Sequence, residues 1–274
     1  SIEADNPLER VQRAPGNLRL AYISIGGFGY IHNIAKDEEP QPLNTTPRPF
    51  NEEAPLTALY FQDAENLWVG DSLGNLHLMN LSTKEWESSY DSTDSLGKVR
   101  AFIPLGKDTL IAVTAHGLAI ISNKENSKIK VIECLWPDDM LPVNGAVLSE
   151  DSNTMYAFAG TVVYAVDMGN IPSLKVKYTN EFDAIITSVG LLKGRDYGLA
   201  GDKDGYLHFF DLTNGRTLGN KTNRHESHIS TIQFMEINNQ EMILTTGYDH
   251  VFKLSNLKPG RPSLSSPLII AEHT

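Results

Sequence analysis

An all-β fold built from repeated four-stranded sheets is what this 274-residue sequence predicts. Three observations carry the prediction. Short alternating strands recur along the chain, separated by turns rich in Gly, Asp and Asn. The third strand of successive units ends at Ile34, Leu81, Ser122, Met168, Leu212 and Leu257, at intervals of 41 to 47 residues. No stretch sustains the 3.6-residue period of an amphipathic helix. A four-strand unit repeated about every 40–45 residues is the signature of a β-propeller blade. A lone blade has two apolar faces, and stacking against its neighbours buries them and leaves only short edges. Six units are readable, which fits a six- or seven-bladed propeller, closed on itself or open and completed by a partner.

Residues 1–17, with Pro7, Pro15 and Gly16, read as an extended lead-in, and residues 18–274 as a single propeller. Leu18 to Ile25 alternates, and Gly26-Gly27 turns it into Phe28 to Ile34, a hairpin. Residues 35–55 are acidic and carry prolines at 40, 42, 47, 49 and 55. Proline removes ladder donors, so the expectation here is a loop rather than a sheet element, and its length makes it a candidate for partner contact. From Leu56 the pattern is regular. The second unit is predicted at 56–61, 66–70, 75–81 and 86–90, and the third at 99–103, 110–114, 118–122 and 129–134. The fourth follows at 145–148, 155–159, 162–168 and 174–178. The fifth takes 185–191, 197–201, 206–212 and a short piece near Thr217. The sixth takes 229–234, 242–247, 251–257 and 267–271. The first unit shows only two or three strands, which either Leu8 to Gln12 or Pro267 to Ala271 would complete.

At 197–257 the chain resembles the WD40 family. Gly201-Asp-Lys-Asp-Gly-Tyr-Leu-His-Phe-Phe-Asp211 is similar to that family's Gly-Ser-x-Asp-Gly-x-Ile-x-Leu-Trp-Asp. The resemblance puts Asp204 in the turn-aspartate place and Asp211 in the final aspartate place, with Phe210 where tryptophan is usual. In the sixth unit His225 takes the place of the histidine in the family's Gly-His dipeptide, with Arg224 replacing the glycine. Thr246 and Asp249 fall where the family has its strand hydroxyl and turn aspartate, and Ser255 stands where tryptophan is expected. The resemblance implies that an imidazole held between a carboxylate and a hydroxyl pins one blade's loop to the next blade's turn. Such buried polar groups must be paired, so the expected role of His225, Thr246, Asp249, Asp204 and Asp211 is structural. The first four units are further from the pattern and carry Leu73, Gly117 and Thr161 near their turns.

Composition narrows the function classes. Hydrophobic residues make up 41% and charged residues 21%, enough for a packed core. The net charge is −11, and the two densest basic stretches, 216–224 and 253–261, hold three cations each. That is no footprint for duplex nucleic acid. No apolar run reaches the length of a membrane span, and the polar start at Ser1 is not expected to be a signal peptide. Triplets at Asn44, Asn80 and Asn220 match the N-glycosylation pattern at a frequency such a chain reaches by chance. The single cysteine, Cys134, lies in an apolar strand without cationic neighbours, so it reads as a small hydrophobe rather than a nucleophile. An intracellular home, nucleus or cytoplasm, is expected.

No catalytic, cofactor or metal constellation is expected. The eight histidines lack zinc-ligand spacing, and His225-Glu-Ser-His228 lacks the i,i+4 pair of a helical zinc motif. Asp202, Asp204 and Gly205 lack the closing glutamate of a calcium loop, and no helix follows Gly26-Gly27-Phe28-Gly29 to make a dinucleotide site. The expected function is a non-enzymatic scaffold subunit whose partners are other proteins of a complex. Two alternatives are a module that reads a short or modified peptide on one face, with Trp136, Asp138, Asp139 and Arg195 as candidate contacts, and a metal-assisted hydrolase with an axial site.

Overall fold

The computed structural model describes residues 8–16, 18–24, 26–36, 39–43, 54–92, 96–106, 108–124, 128–258 and 262–272. It is all-β, with six four-stranded antiparallel blades of the propeller class, each made from four strands consecutive in sequence. The chain divides into two compact units, Ser1–Trp136 and Pro137–Thr274, of three blades each.

In the first unit, blade 1 comprises β1 (Leu8–Arg13), β2 (Arg19–Ser24), β3 (Gly29–Asn33) and β4 (Gln41–Pro42). Blade 2 comprises β5 (Leu56–Phe61), β6 (Asn66–Asp71), β7 (Leu76–Asn80) and β8 (Glu85–Tyr90), and blade 3 β9 (Val99–Pro104), β10 (Thr109–Thr114), β11 (Gly117–Lys124) and β12 (Lys128–Leu135). In the second unit, blade 4 holds β13 (Gly145–Leu148), β14 (Thr154–Ala159), β15 (Val162–Asp167) and β16 (Lys175–Glu181). Blade 5 holds β17 (Ile186–Leu191), β18 (Tyr197–Asp202), β19 (Tyr206–Asp211) and β20 (Thr217–Asn223). Blade 6 holds β21 (Ile229–Ile237), β22 (Gln240–Gly247), β23 (Val251–Asn256) and β24 (Leu268–Glu272).

Two local expectations are corrected. Leu8–Arg13 is the first strand of blade 1, paired to β2, so the lead-in does not reach residue 17, and of the two segments expected to complete that blade it is Leu8 to Gln12, while Leu268–Glu272 pairs within blade 6. Gln41–Pro42, inside the stretch read as loop, pairs with Tyr30 and Ile31 as that blade's outer strand. Proline is tolerated there because an edge strand needs no donor on its free side. Residues 44–53 of that stretch lie outside the described residues.

Strand alternation explains the packing. On β6, Leu67 and Val69 join the core shared with blade 1, while Trp68 between them joins the core shared with blade 3. On β19, Phe210 faces blade 4's side and Leu207 and Phe209 face blade 6. Hydrophobic residues on both faces are what stacked blades require.

Two inter-blade junctions share one device. The register shifts between Leu56 and Ala58 and between Ile186 and Ser188, so Thr57 and Thr187 are the extra residues of a bulge. The freed hydroxyls donate to the next blade: Thr57 to Val99 O at 2.7 Å and Thr187 to Ile229 O at 2.6 Å. Opposite each stands a glycine. A Cβ on Gly70 would lie 2.6 Å from Val99 Cβ, and one on Gly201 2.8 Å from Ile229 Cβ. Only glycine allows the next blade so near.

Candidate functional site

The polar chemistry of the described residues concentrates where the turns between second and third strands meet the loops entering the following blade. His225, fully buried, enters ahead of β21. Its Nδ1 lies 2.9 and 3.0 Å from the two Asp249 carboxylate oxygens, and its Nε2 lies 2.9 Å from Thr245 Oγ1. Burial pushes the imidazole below its ordinary value, with Asp249 opposing. The neutral ring therefore donates from Nδ1–H to Asp249 and accepts the Thr245 hydroxyl at Nε2. Burial alone would raise the Asp249 carboxyl, but the Glu226 N–H, His225 and the Val251 N–H hold it below its usual range. The loop is pinned from the other side as well. Arg224 N–H and His225 N–H both donate to Gly205 O, at 2.8 and 3.0 Å. Gly205 has φ +84°, and a Cβ there would sit 2.0 Å from His225 O.

The structure thus brings His225 and Asp249 together, but the hydroxyl between them and the sheet is Thr245. Thr246, the neighbour on the opposite face, instead pairs with Ser230 Oγ at 2.7 Å. Asp204 and Asp211 do not join. Asp211 closes its own turn through Thr213, accepting from the backbone N–H at 2.7 Å and pairing with the hydroxyl at 2.5 Å. Asp204 only donates its backbone N–H to Asp202 Oδ1 at 2.9 Å.

Asp202 is the carboxylate that organises blade 5. Its Oδ2 lies 2.7 Å from His208 Nε2, and its Oδ1 also accepts the Tyr206 N–H at 2.8 Å. Burial would raise its carboxyl, but His208 and the N–H groups of Tyr206 and Asp204 hold it low. Blade 2 repeats the arrangement. Gly70-Asp71-Ser-Leu-Gly74-Asn-Leu-His77 and Gly201-Asp202-Lys-Asp-Gly205-Tyr-Leu-His208 share one pattern, and Asp71 Oδ1 accepts the N–H of Leu73 and Asn75 at 2.9 and 3.0 Å. That shared pattern was the sequence signal for the two carboxylates.

Two constellations invite a chemical reading. Ser89 Oγ lies 3.0 Å from His77 Nδ1, and Asp71 Oδ2 lies 3.7 Å from His77 Nε2. Those are the residue types of an acyl-transfer triad, but the carboxylate–imidazole separation exceeds a hydrogen bond and both side chains are fully buried. Asp183, Asp202 and His208 bring ligand atoms within 4.8 Å of one another, the geometry a divalent cation would need. There Asp202 and His208 are spent on each other, and Asp183 pairs with Lys221 Nζ at 2.5 Å.

The candidate contact residues separate. Trp136 is buried, 6% exposed, with Nε1 donating to Thr114 O at 3.2 Å, so it closes a loop onto blade 3 and is corrected as a contact residue. Asp138 and Asp139 are exposed in a turn. The Arg195 guanidinium ties blade 5 to blade 6 through Glu241 at 2.5 Å.

Sequence reasoning missed the exposed apolar surface. Five outer strands are guarded: β4 by Pro42, β8 by Glu85 and Glu87, β12 by Lys130 and Glu133, β16 by Lys175 and Lys177, and β20 by Lys221. On β24 the one charge is the terminal Glu272, and Leu268, Ile269 and Ile270 ahead of it are 66%, 52% and 54% exposed. In the second unit's turns and loops, Leu141, Ile185 and Tyr248 are exposed as well, Tyr248 lying against the His228 ring at 3.7 Å between centroids. No helix among the described residues is long and apolar enough to cross a membrane. No protein-family model matches the chain, and no curated protein matches it.

Proposed function

We propose that this chain is a non-enzymatic, WD40-like scaffold subunit that holds other proteins in an intracellular assembly. The observation that carries the reading is β24: an outer strand whose one charge is the terminal Glu272, with three consecutive aliphatic side chains, Leu268, Ile269 and Ile270, facing solvent. Such an edge offers backbone donors and acceptors and aliphatic contact to an added strand. The carboxylate–imidazole pairs support it, because each is engaged in holding a turn. The acidity of the chain favours protein partners over duplex nucleic acid.

The test is affinity capture with the intact protein beside a Leu268→Lys/Ile270→Lys double variant. Loss of the captured proteins, with an unchanged thermal melt, is the expected result. Their full retention would refute the edge, and substrate turnover abolished by Asp202→Asn would refute the non-enzymatic reading. A second reading, recognition of a short peptide by the loop end of the second unit, is favoured by the exposed Tyr248 ring held against His228. Tyr248→Ala separates it from strand addition.

A further inference from the structure

The pin between blades 5 and 6 uses the backbone of Arg224 and gives its side chain no part. The Arg224 N–H donates to Gly205 O at 2.8 Å, and Arg224 O accepts Lys253 Nζ at 2.5 Å. Yet Arg224 is 5% exposed, the one buried lysine or arginine among the described residues. Its Nε is sealed from solvent without a hydrogen-bond partner, and no described residue accepts from the guanidinium or pairs with it. Burial alone pulls the group below its ordinary value, and no neighbouring charge opposes it. The Nη groups, unlike Nε, are not sealed and stay open to an incoming oxygen.

The nearby carboxylates do not supply a counter-ion. Asp249 is taken up by the His225 ring and by the N–H groups of Glu226 and Val251. What charge it has to spare faces Lys253, whose Nζ lies 4.0 Å from Asp249 Oδ2. Glu226 is exposed, and its carboxylate pairs with no described residue. An arginine stays protonated wherever a protein puts it, and a charge withdrawn from water without a counter-ion is costly. Among the sealed polar atoms without a partner, Arg224 Nε is the one on a permanently charged group.

We propose that the Arg224 guanidinium takes one oxyanion from a peptide segment of a partner protein, the carboxylate of an acidic side chain or the phosphate of a phosphorylated one. Either presents paired oxygens to the guanidinium fork, and in a site shut off from water that charge-assisted contact is at its strongest. A neutral or cationic side chain would leave the guanidinium unpaired, which is how the site discriminates. Arg224 and His228 share the loop ahead of β21, and Tyr248 N–H donates to His228 O at 3.0 Å, so the Tyr248–His228 ring pair stands at the same loop end. The inference thus deepens the peptide-recognition reading and rests on it, naming the group recognised.

The experiment follows the Arg224 Nε–H resonance by NMR on the isotope-labelled intact protein, assigned by its loss in Arg224→Met, which keeps the apolar stem. Acetate and inorganic phosphate are each expected to shift it saturably, and chloride at equal ionic strength to leave it in place. In fluorescence anisotropy, labelled Gly/Ser pentapeptides with a central Glu or phosphoserine are compared with one carrying Gln. The better of the two acidic peptides is expected to bind at least about tenfold more tightly than the Gln peptide, and its identity tells a carboxylate source from a phosphate one. Arg224→Met is expected to abolish that preference, and Arg224→Gln serves if the Met variant melts early. A resonance indifferent to both anions, equal affinity for all three peptides, or a preference that survives in the variant would each overturn the assignment. So would Glu226→Gln moving the resonance in the absence of added anion, because Glu226 would then be the counter-ion. Captured proteins lost in Tyr248→Ala but kept in Arg224→Met would leave the peptide reading standing and remove only the oxyanion site.

Discussion

Replacing Asp249 by Ala tests the inter-blade pin most directly. The substitution removes the acceptor for His225 Nδ1–H at 2.9 Å, the Glu226 N–H at 3.0 Å and the Val251 N–H at 3.3 Å. The Glu226 and Val251 groups can turn to water, but His225 is fully buried, so its ring N–H is left without a partner. An orphaned buried donor costs about 1–3 kcal/mol, and each charge-assisted bond adds about 1.5 kcal/mol or more. The expected loss is about 3 kcal/mol, or a fall of about 6–12 °C in melting temperature for a chain of this size class. Thr245→Val, which strips the hydroxyl from Nε2, should cost about 1–2 kcal/mol. Asp204→Ala should stay within about 0.5 kcal/mol, as its carboxylate is outside the network. Thermal melts and urea titrations of the three variants supply the ordering. If Asp204→Ala costs as much as Asp249→Ala, or Thr245→Val costs nothing, the His225–Asp249–Thr245 network does not hold the blades.

The same site sets a pH dependence. His225 is held below its ordinary value by burial and Asp249 is held low against burial by its donors. For both, the unfolded chain binds protons more readily, so their contribution is complete above the unfolded values, about 6.5 and 3.9, and is lost as pH falls through the folded ones. Urea midpoints should therefore drop between pH 7.5 and 5.5 in wild type and less so in His225→Gln, and parallel curves would refute the assignment. Gly201→Ala should cost about 1–3 kcal/mol, because the new methyl meets Ile229 Cβ and Ser188 Oγ inside 3 Å, and an unchanged melt would mean the blades can part there. A chelator should leave the melting temperature where it is, since Asp183 answers to Lys221 and Asp202 to His208. A fall of several degrees on adding EDTA would identify a bound cation at that cluster.

Strands were legible because their cause is local. Alternation of apolar and polar side chains, and Gly, Asp or Asn at turns, is written in runs of a few residues. The carboxylate sites were half legible. His225 and Asp249 stand at the places the repeat pattern marks, but neighbours one or two positions apart were exchanged: Thr246 for Thr245 and Asp204 for Asp202. On a strand, a one-residue step crosses the sheet, and only the pairing of β22 with its neighbours says which hydroxyl faces the imidazole. Trp136 illustrates the same limit, since an aromatic side chain reads alike whether it waits for a partner or caps its own blade.

What the amino-acid order determined alone is the all-β class, the six-fold repetition and the rough position of nearly every strand, because backbone pairing and turn geometry answer to nearest neighbours. Tertiary structure decided the rest: which strand is an outer edge, which face of each sheet meets another blade, and which polar groups are sealed in. Those outcomes depend on residues some forty positions apart coming within hydrogen-bonding distance, as Thr187 and Ile229 O do at 2.6 Å. No local pattern encodes that approach; it follows from the packing of whole sheets.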